Sequence, residues 1–395
     1  MLLSSSNHPT SFAWLGPAIA GLLIGVLSWS GNLLGLLLTP LLVLVWSRSS
    51  SRSAAFAAAF CYYLGAGRGL LRGAGVFFSD LGPVESFCYG MILWLGYSGV
   101  LGLVWGLLWG RTRLPLRLLA ILAIVSLPPV GVIGGFNPLL SAAAYFPGLE
   151  WTGLILGIVG LALLAECRGR LPAALPLAAA AVFANLHYAE PSLPGWAKHD
   201  TAFGKSDAVD GDYERMMKLQ RVVEDWSETR SGTVLLLPEL VGGDWPVNEN
   251  WWQGVARTLK DRGQTVVIGA YLPVGDGTAY DNVLVSIGND AGKQFRDRVP
   301  VPISMWKPWS ASGARTYWSE HEVHELNGKR VASLICYEQL LMWPALLSLA
   351  RSPELLLAPA NDWWARETNL PGAQHQSVRA WSRLFAIPSL WTTNM

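Results

Sequence analysis

Val331-Ala332-Ser333-Leu334-Ile335-Cys336-Tyr337-Glu338 is the stretch on which the fold of the second half of the chain turns. An apolar, β-prone run ends in a cysteine, and Tyr and Glu follow at once. A strand that carries a thiol to its C-terminal edge is a common way to present a nucleophile. By position alone Cys336 reads equally as a small buried hydrophobe, the ordinary state of a free cysteine. It is the only cysteine after residue 190, so it has no disulfide partner in that half. Cys61, Cys88 and Cys167 lie in or beside apolar segments. No CxxC or Cys/His pair points to a metal, and no metal or cofactor is expected.

A second strand end carries the other chemical group. Leu235-Leu236-Leu237-Pro238-Glu239 places a carboxylate where a buried run meets a loop. Alone, Glu239 reads as a cap or a surface acid. Beside an apolar wall its pKa would rise, which suits a general base. Paired with Cys336 it becomes a plausible base for a thiol nucleophile.

Around these two points strands and helices alternate. Strands are expected over 196–203, 233–237, 265–272, 282–287, 330–335 and 355–358. Helices are expected over 212–228, 250–262, 342–350 and 372–385. Continuous apolar strands between helices predict sheets covered by helices.

The first half reads differently. Residues 1–190 hold nine Arg, no Lys and five acids, against twenty basic and twenty-three acidic residues in 191–395. The chain divides at about residue 190 into a helical, transmembrane-like domain (1–190) and a water-soluble domain (191–395). A net charge of +1 gives no case for nucleic acid as a partner. Seven apolar spans are read, over 11–30, 32–47, 54–70, 86–110, 115–135, 150–166 and 172–189, several of them shorter than the roughly 20 residues of a full crossing. Arg48 and Arg52, the cluster Arg111, Arg113 and Arg117, and the pair Arg168 and Arg170 mark alternate loops as cytoplasmic, with Arg68 and Arg72 partly offsetting the pattern. That order places the second half in the periplasm of a bacterial inner membrane, as part of a multi-pass protein.

The residues around the two strand ends resemble the carbon–nitrogen hydrolase (nitrilase) superfamily. The likeness is carried by Leu236-Leu237-Pro238-Glu239, by Leu334-Ile335-Cys336-Tyr337-Glu338, and by Ala360-Asn361-Asp362-Trp363-Trp364 with Gly372-Ala373-Gln374-His375-Gln376-Ser377-Val378-Arg379-Ala380 and Thr392-Thr393-Asn394. The membrane-fused branch is most similar: the apolipoprotein N-acyltransferases and the TraB-type conjugal transfer proteins. Tyr62-Tyr63-Leu64, Phe136-Asn137-Pro138-Leu139 and Pro300-Val301-Pro302-Ile303-Ser304-Met305-Trp306 resemble the TraB type.

The resemblance implies an αββα sandwich behind the helical domain and a Glu-Lys-Cys triad. Cys336 would form a thioester, and Glu239 would take its proton. Tyr337 and Glu338 would support the nucleophile and the acyl group. Trp245 and Trp364, near the site loops, read on their own equally as core or interfacial packing and as a lipid-facing, substrate-contacting rim beside the nucleophile. The implied donor is a phospholipid or another acyl donor. The implied acceptor is a lipoprotein or a component of the conjugation apparatus. A non-catalytic structural component of that apparatus is the alternative. The family lysine, in a Tyr-x-Lys-x-x-Leu-Val-Pro block, has no counterpart: Asp297 stands at its place in Phe295-Arg296-Asp297-Arg298-Val299-Pro300. Arg298, Arg296 and Lys307 are the candidate replacements. No closing strand or last transmembrane helix is read after Phe385, so the soluble domain is expected to be truncated or short at its C-terminus.

Overall fold

The structure is a computed structural model that describes residues 13–166, 171–205, 209–229, 232–320 and 322–395. Cys167 and the loop arginines Arg168 and Arg170 lie outside the described residues. Among those described, nine α-helices precede the first strand: α1 (Leu15–Ser28), α2 (Pro40–Ser47), α3 (Arg52–Ala66), α4 (Gly69–Phe77), α5 (Pro83–Leu108), α6 (Leu114–Ser126), α7 (Ala142–Tyr145), α8 (Glu150–Glu166) and α9 (Leu171–His187). Small residues bring α1 and α3 into close contact, as in helix pairs that approach through glycine. A Cβ on Gly21 would stand 2.0 Å from the carbonyl oxygen of Ala58, and one on Gly25 2.1 Å from that of Tyr62. Each of the seven expected spans falls on one or more of these helices or on the 3₁₀ turn Leu33–Leu38. Among the described residues, only Pro83–Leu108 is long and apolar enough to cross a membrane by itself. Arg52–Ala66 with Gly69–Phe77, bent by 53°, would make a second crossing if the pair is one span.

Among the described residues, all strands lie in the second half. The first sheet runs β1 (Trp196–Lys198), β2 (Val234–Leu236), β3 (Thr265–Val274), β4 (Ala279–Gly288) and β5 (Gln294–Arg296), with β6 (Gly313–Ala314) paired to β4. The second is ordered β10-β9-β8-β7, from β7 (Val323–Leu326), β8 (Lys329–Ser333), β9 (Leu355–Asn361) and β10 (Ser389–Asn394). Between them run α10 (Val209–Thr229), α11 (Trp245–Asp261), α12 (Met342–Leu349) and α13 (Leu370–Phe385).

Side chains alternate across a strand, so each sheet has two apolar faces to bury. Val234, Leu236, Val267, Leu284 and Phe295 of the first sheet meet Val331, Leu355 and Leu357 of the second in one buried cluster. The opposite face of the first sheet, with Leu235, Val266, Ile268 and Val283, is covered by Leu219 and Val223 of α10 and by Trp252 and Leu259 of α11. The opposite face of the second sheet, with Ala332 and Leu356, lies under α12 and α13. The order of layers is therefore helix, sheet, sheet, helix, a nitrilase-like fold.

Several boundaries differ from the sequence reading: the first strand ends at Lys198 rather than 203, and β5, β6, β7 and β10 are strands it did not contain. Helix α11 begins at Trp245 rather than 250, because Asp244 sits at its N-cap and a proline occupies its first turn, where the missing N–H costs nothing. A closing strand does exist: β10 pairs in parallel with β9 from Ser389–Leu356 to Asn394–Asn361.

The outer helix layer of the second sheet is shared with the first half. Trp381, Leu384 and Phe385 of α13 belong to the same buried cluster as Leu42, Trp46, Tyr62 and Leu154. Helix ends leave carbonyls without intrahelical partners, and α13 supplies several of them. Gln376 Nε2 donates to the carbonyls of Ser28 and Asn32, both at 2.7 Å. Asn369 Nδ2 donates to those of Trp29 (3.1 Å) and Ala66 (2.8 Å). Arg68, one of the two arginines that offset the loop pattern, donates to the carbonyls of Val26 and Gly65; the other, Arg72, pairs with Glu367.

Candidate active site

Both chemical groups stand just past strand ends, on backbone turned sharply. After β2, Leu237 N–H bonds to the Val267 carbonyl (2.9 Å) and the chain wraps round Gly269, whose N–H bonds to the Pro238 carbonyl (3.2 Å). Leu240, directly after Glu239, has φ +62°. A Cβ on Gly269 would lie 2.4 Å from Glu239 Cα and 2.4 Å from the Pro238 oxygen, both backbone atoms. Gly269→Ala is therefore expected to destabilise the protein by about 3 kcal/mol, the upper end for overpacking, read as a lowered urea midpoint of the detergent-solubilised chain.

After β8 the backbone reaches Cys336 with φ +47°, a left-handed conformation that non-glycine residues hold only when their surroundings impose it. Glu338 imposes it. Fully buried, its Oε2 accepts from Ile335 N–H (2.9 Å) and its Oε1 from Arg298 N–H (3.0 Å). Gln374 of α13 donates to the Cys336 carbonyl at 3.1 Å and stands 3.9 Å from the sulfur.

Glu239 and Cys336 meet in the space these turns enclose, and each acts electrostatically on the other. Glu239 is 1% exposed. Its Oε1 accepts from Asn282 Nδ2 at 2.6 Å, while Oε2 has no well-formed hydrogen bond and is left to the thiol. Burial pushes the Glu239 carboxyl up to about 7, with the Asp362 charge adding to the rise and bonds from the thiol and Asn282 opposing it. Cys336 is pushed well above the usual thiol range by burial and by the charges of Glu239 and Asp362. At rest the sulfur holds its proton, beside a base poised near neutrality.

Two further acids line the region. Asp362, at the end of β9, accepts from Thr393 Oγ1 at 2.9 Å, and burial raises it to about 7. Asp297, at the family's lysine position, is 2% exposed and accepts from the same Asn282 amide that serves Glu239, at 2.9 Å. Burial, with the charges of Glu338 and Glu239, raises it well above the usual carboxylate range.

The three candidate cations are placed as follows. Arg298 is buried but committed. Its Nε donates to Glu338 Oε1 (2.8 Å), Nη2 to Glu338 Oε2 (3.2 Å) and the Ser333 carbonyl (3.0 Å), and Nη1 to Ser348 (2.9 Å). Arg296 pairs with Glu322 (2.7 Å) and Glu320 (3.4 Å) at the sheet edge. Lys307 lies half-buried in the 301–312 loop. Among the described residues, none of the three bonds to Glu239 or Cys336.

The proposed substrate-contacting residues also separate. Tyr337 follows the thiol, but its hydroxyl donates to the Val132 carbonyl (3.0 Å) and ties the turn to the helical half. Trp364 packs on α4: a Cβ on Gly73 would lie 2.6 Å from its ring, and Phe77 meets it edge-on with centroids 6.4 Å apart. Trp245, the first residue of α11, is buried on the face of the first sheet turned away from the thiol. Glu338 is a scaffold for the turn. Asn282, Gln374 and Asp362 have no assigned role in the sequence reading, although the family-like blocks contain the last two.

No family model matches the chain. It is 34% identical to a probable conjugal transfer protein TraB of Sinorhizobium fredii over 95% of this chain and 97% of that one. It is also 34% identical to the conjugal transfer protein TraB of Agrobacterium fabrum, over 94% of this chain and 90% of the other. Among solved structures, a carbon–nitrogen hydrolase of Helicobacter pylori overlaps 50% of this chain and 73% of its own at 13% identity, with a TM-score of 0.38. The αββα assignment rests on the order of layers described above, not on that overlap.

Proposed function

Because the chain belongs to the TraB family of conjugal transfer proteins, we propose that it serves plasmid transfer through acyl transfer or amide hydrolysis at Cys336. The observation that carries this reading is the thiol on its left-handed turn, set against a carboxylate raised to about 7. In the reaction, the Glu239 carboxylate takes the thiol proton as sulfur bonds to the acyl carbon and the carbonyl pair moves to oxygen. Collapse expels the leaving group, which takes the proton from Glu239, and a thioester remains on Cys336. Water or an amine then attacks the thioester. Glu239 accepts its proton and passes it to sulfur as the carbon–sulfur bond breaks.

With no cation among the described residues bonded to the thiol or its base, Asp297, at the place of the family lysine, is the group that would meet the charge on oxygen. Burial and the charges of Glu338 and Glu239 hold the Asp297 carboxyl well above the usual carboxylate range, and a protonated carboxyl can donate a hydrogen bond to an oxyanion. The donor is a phospholipid or another acyl donor, and the acceptor is a lipoprotein amine, as in an apolipoprotein N-acyltransferase, or a component of the transfer apparatus.

The protein would work as a multi-pass inner-membrane protein with its α/β half in the periplasm and a domain boundary near residue 190. What supports this is the apolar surface of the helical half, where Leu23, Leu34, Ile92, Leu107, Leu116, Ile155 and Leu186 are exposed, together with the spacing of the arginines. One observation favours the rival reading of a structural component without turnover: carboxylates, not cations, surround the thiol.

The two readings part on intact-mass analysis of the purified chain incubated with phospholipid. An acyl adduct that maps to Cys336 and is released by hydroxylamine is the expected result. Absence of an adduct with every donor tried, phospholipid or short amide, would leave the structural reading.

A further inference from the structure

A cavity of about 690 Å³ opens on the flank of the helical half, between α9 and the 3₁₀ turn Leu33–Leu38. Its walls are apolar, with Leu34, Leu37, Ala181 and Val182 among them, and its only charged lining groups are Arg379 and Arg383 of α13. Beside it α9 presents Leu175, Phe183 and Leu186, all exposed.

Neither guanidinium group makes an ion pair among the described residues. Arg383 is held in place by donating to Asn185 Oδ1 at 2.8 Å and by lying over the Tyr188 ring at 4.5 Å. Arg379 is exposed and makes no ion pair among the described residues. Glu190 lines an adjoining recess that both arginines share, and pairs with neither among the described residues.

We infer that this cavity binds an anionic phospholipid, with an acyl chain along the apolar wall and the phosphate on Arg379 and Arg383. An apolar trough lined by two guanidinium forks that make no ion pair among the described residues complements an amphiphile with an acidic head. Guanidinium groups match phosphate oxygens in pairs. Asn185 and Tyr188 mark the end of α9, the level at which an apolar helix leaves the bilayer and meets headgroups. The site is separate from the thiol. Arg383 lies nine residues beyond Gln374, which at about 100° per residue puts it on the opposite side of α13. The inference rests on the membrane reading above.

The test uses the full chain in detergent micelles with equal amounts of phosphatidylglycerol and phosphatidylcholine, and native mass spectrometry reads the lipid retained. Phosphatidylglycerol is expected to be retained preferentially. Arg379→Gln and Arg383→Gln should each reduce that preference about fivefold, the weight of one basic residue beside an acidic membrane surface. Arg379→Lys, which keeps the charge, should preserve most of it and excludes a folding defect as the cause. Equal retention of both lipids by the wild type, or an unchanged preference in the double Gln variant, overturns the inference and leaves the membrane reading intact. Release of the chain from membranes by alkaline carbonate would overturn the membrane reading itself, and the lipid site with it.

Discussion

Glu239→Gln is expected to slow acylation of Cys336 by about 10²–10⁴-fold, the range for loss of a positioned general base. The substitution keeps the shape of the side chain and its bond with Asn282 but cannot accept the thiol proton. In the wild type the rate should climb as pH rises through about 7, where the Glu239 carboxyl gives up its proton. In the variant that rise should disappear.

Stability should move the other way. Burial raises the Glu239 carboxyl from an ordinary value of 4.5 to about 7, so the folded state holds the proton longer than the unfolded one. The stabilisation this confers is complete below about pH 4.5 and is lost as pH rises through 7, a change on the order of 3 kcal/mol. The variant has no such loss. Its melting temperature relative to wild type should therefore rise between pH 5 and pH 8. A variant as fast as wild type, with the same pH dependence, would remove Glu239 from the chemistry.

Arg298→Ala should cost more stability than any other single change at the site, about 3–5 kcal/mol, because it strands a fully buried carboxylate. Glu338 would lose its guanidinium partner while still holding the N–H groups of Ile335 and residue 298. The Ser333 carbonyl and Ser348 would lose their donor too. If Arg298 were the charge that meets the acyl oxygen, the variant would fold normally and fail only in rate. A denaturation curve unchanged from wild type would refute the structural role and restore Arg298 to the candidates for that charge.

How much of this could be read beforehand follows from how local each signal is. Val266, Val267 and Ile268 make a β-branched run, and Met216, Leu219 and Val223 keep helical spacing, so β3 and α10 were legible. Cys336 and Glu239 were legible because each ends an apolar run. The start of α11 was also there to be found, in Asp244 followed by Trp245-Pro246. Asn282 could not be found in that way. It reads as a polar residue in a strand, and its meaning comes from Glu239 and Asp297, 43 and 15 positions away. In the sequence Arg298 reads as a displaced lysine, because a basic residue stands beside the expected position. Its rigid fork instead selects Glu338, 40 positions on. The expectation of Trp245 and Trp364 at the substrate came from their closeness in sequence to site loops, whereas Trp245 packs on the outer face of the first sheet and Trp364 on α4.

The joint between α13 and the helical half sets how the molecule can change over generations. An α/β half tied to a helical half by a linker alone would let each drift independently. Here a Cβ on Gly31 would touch the Gly372 backbone at 3.4 Å, and Gln376 fills the end of α1. A substitution in an early helix must be answered in the last one. Changes in the two halves are thus coupled at this joint, and exchanging the helices for others would require α13 to be rebuilt as well.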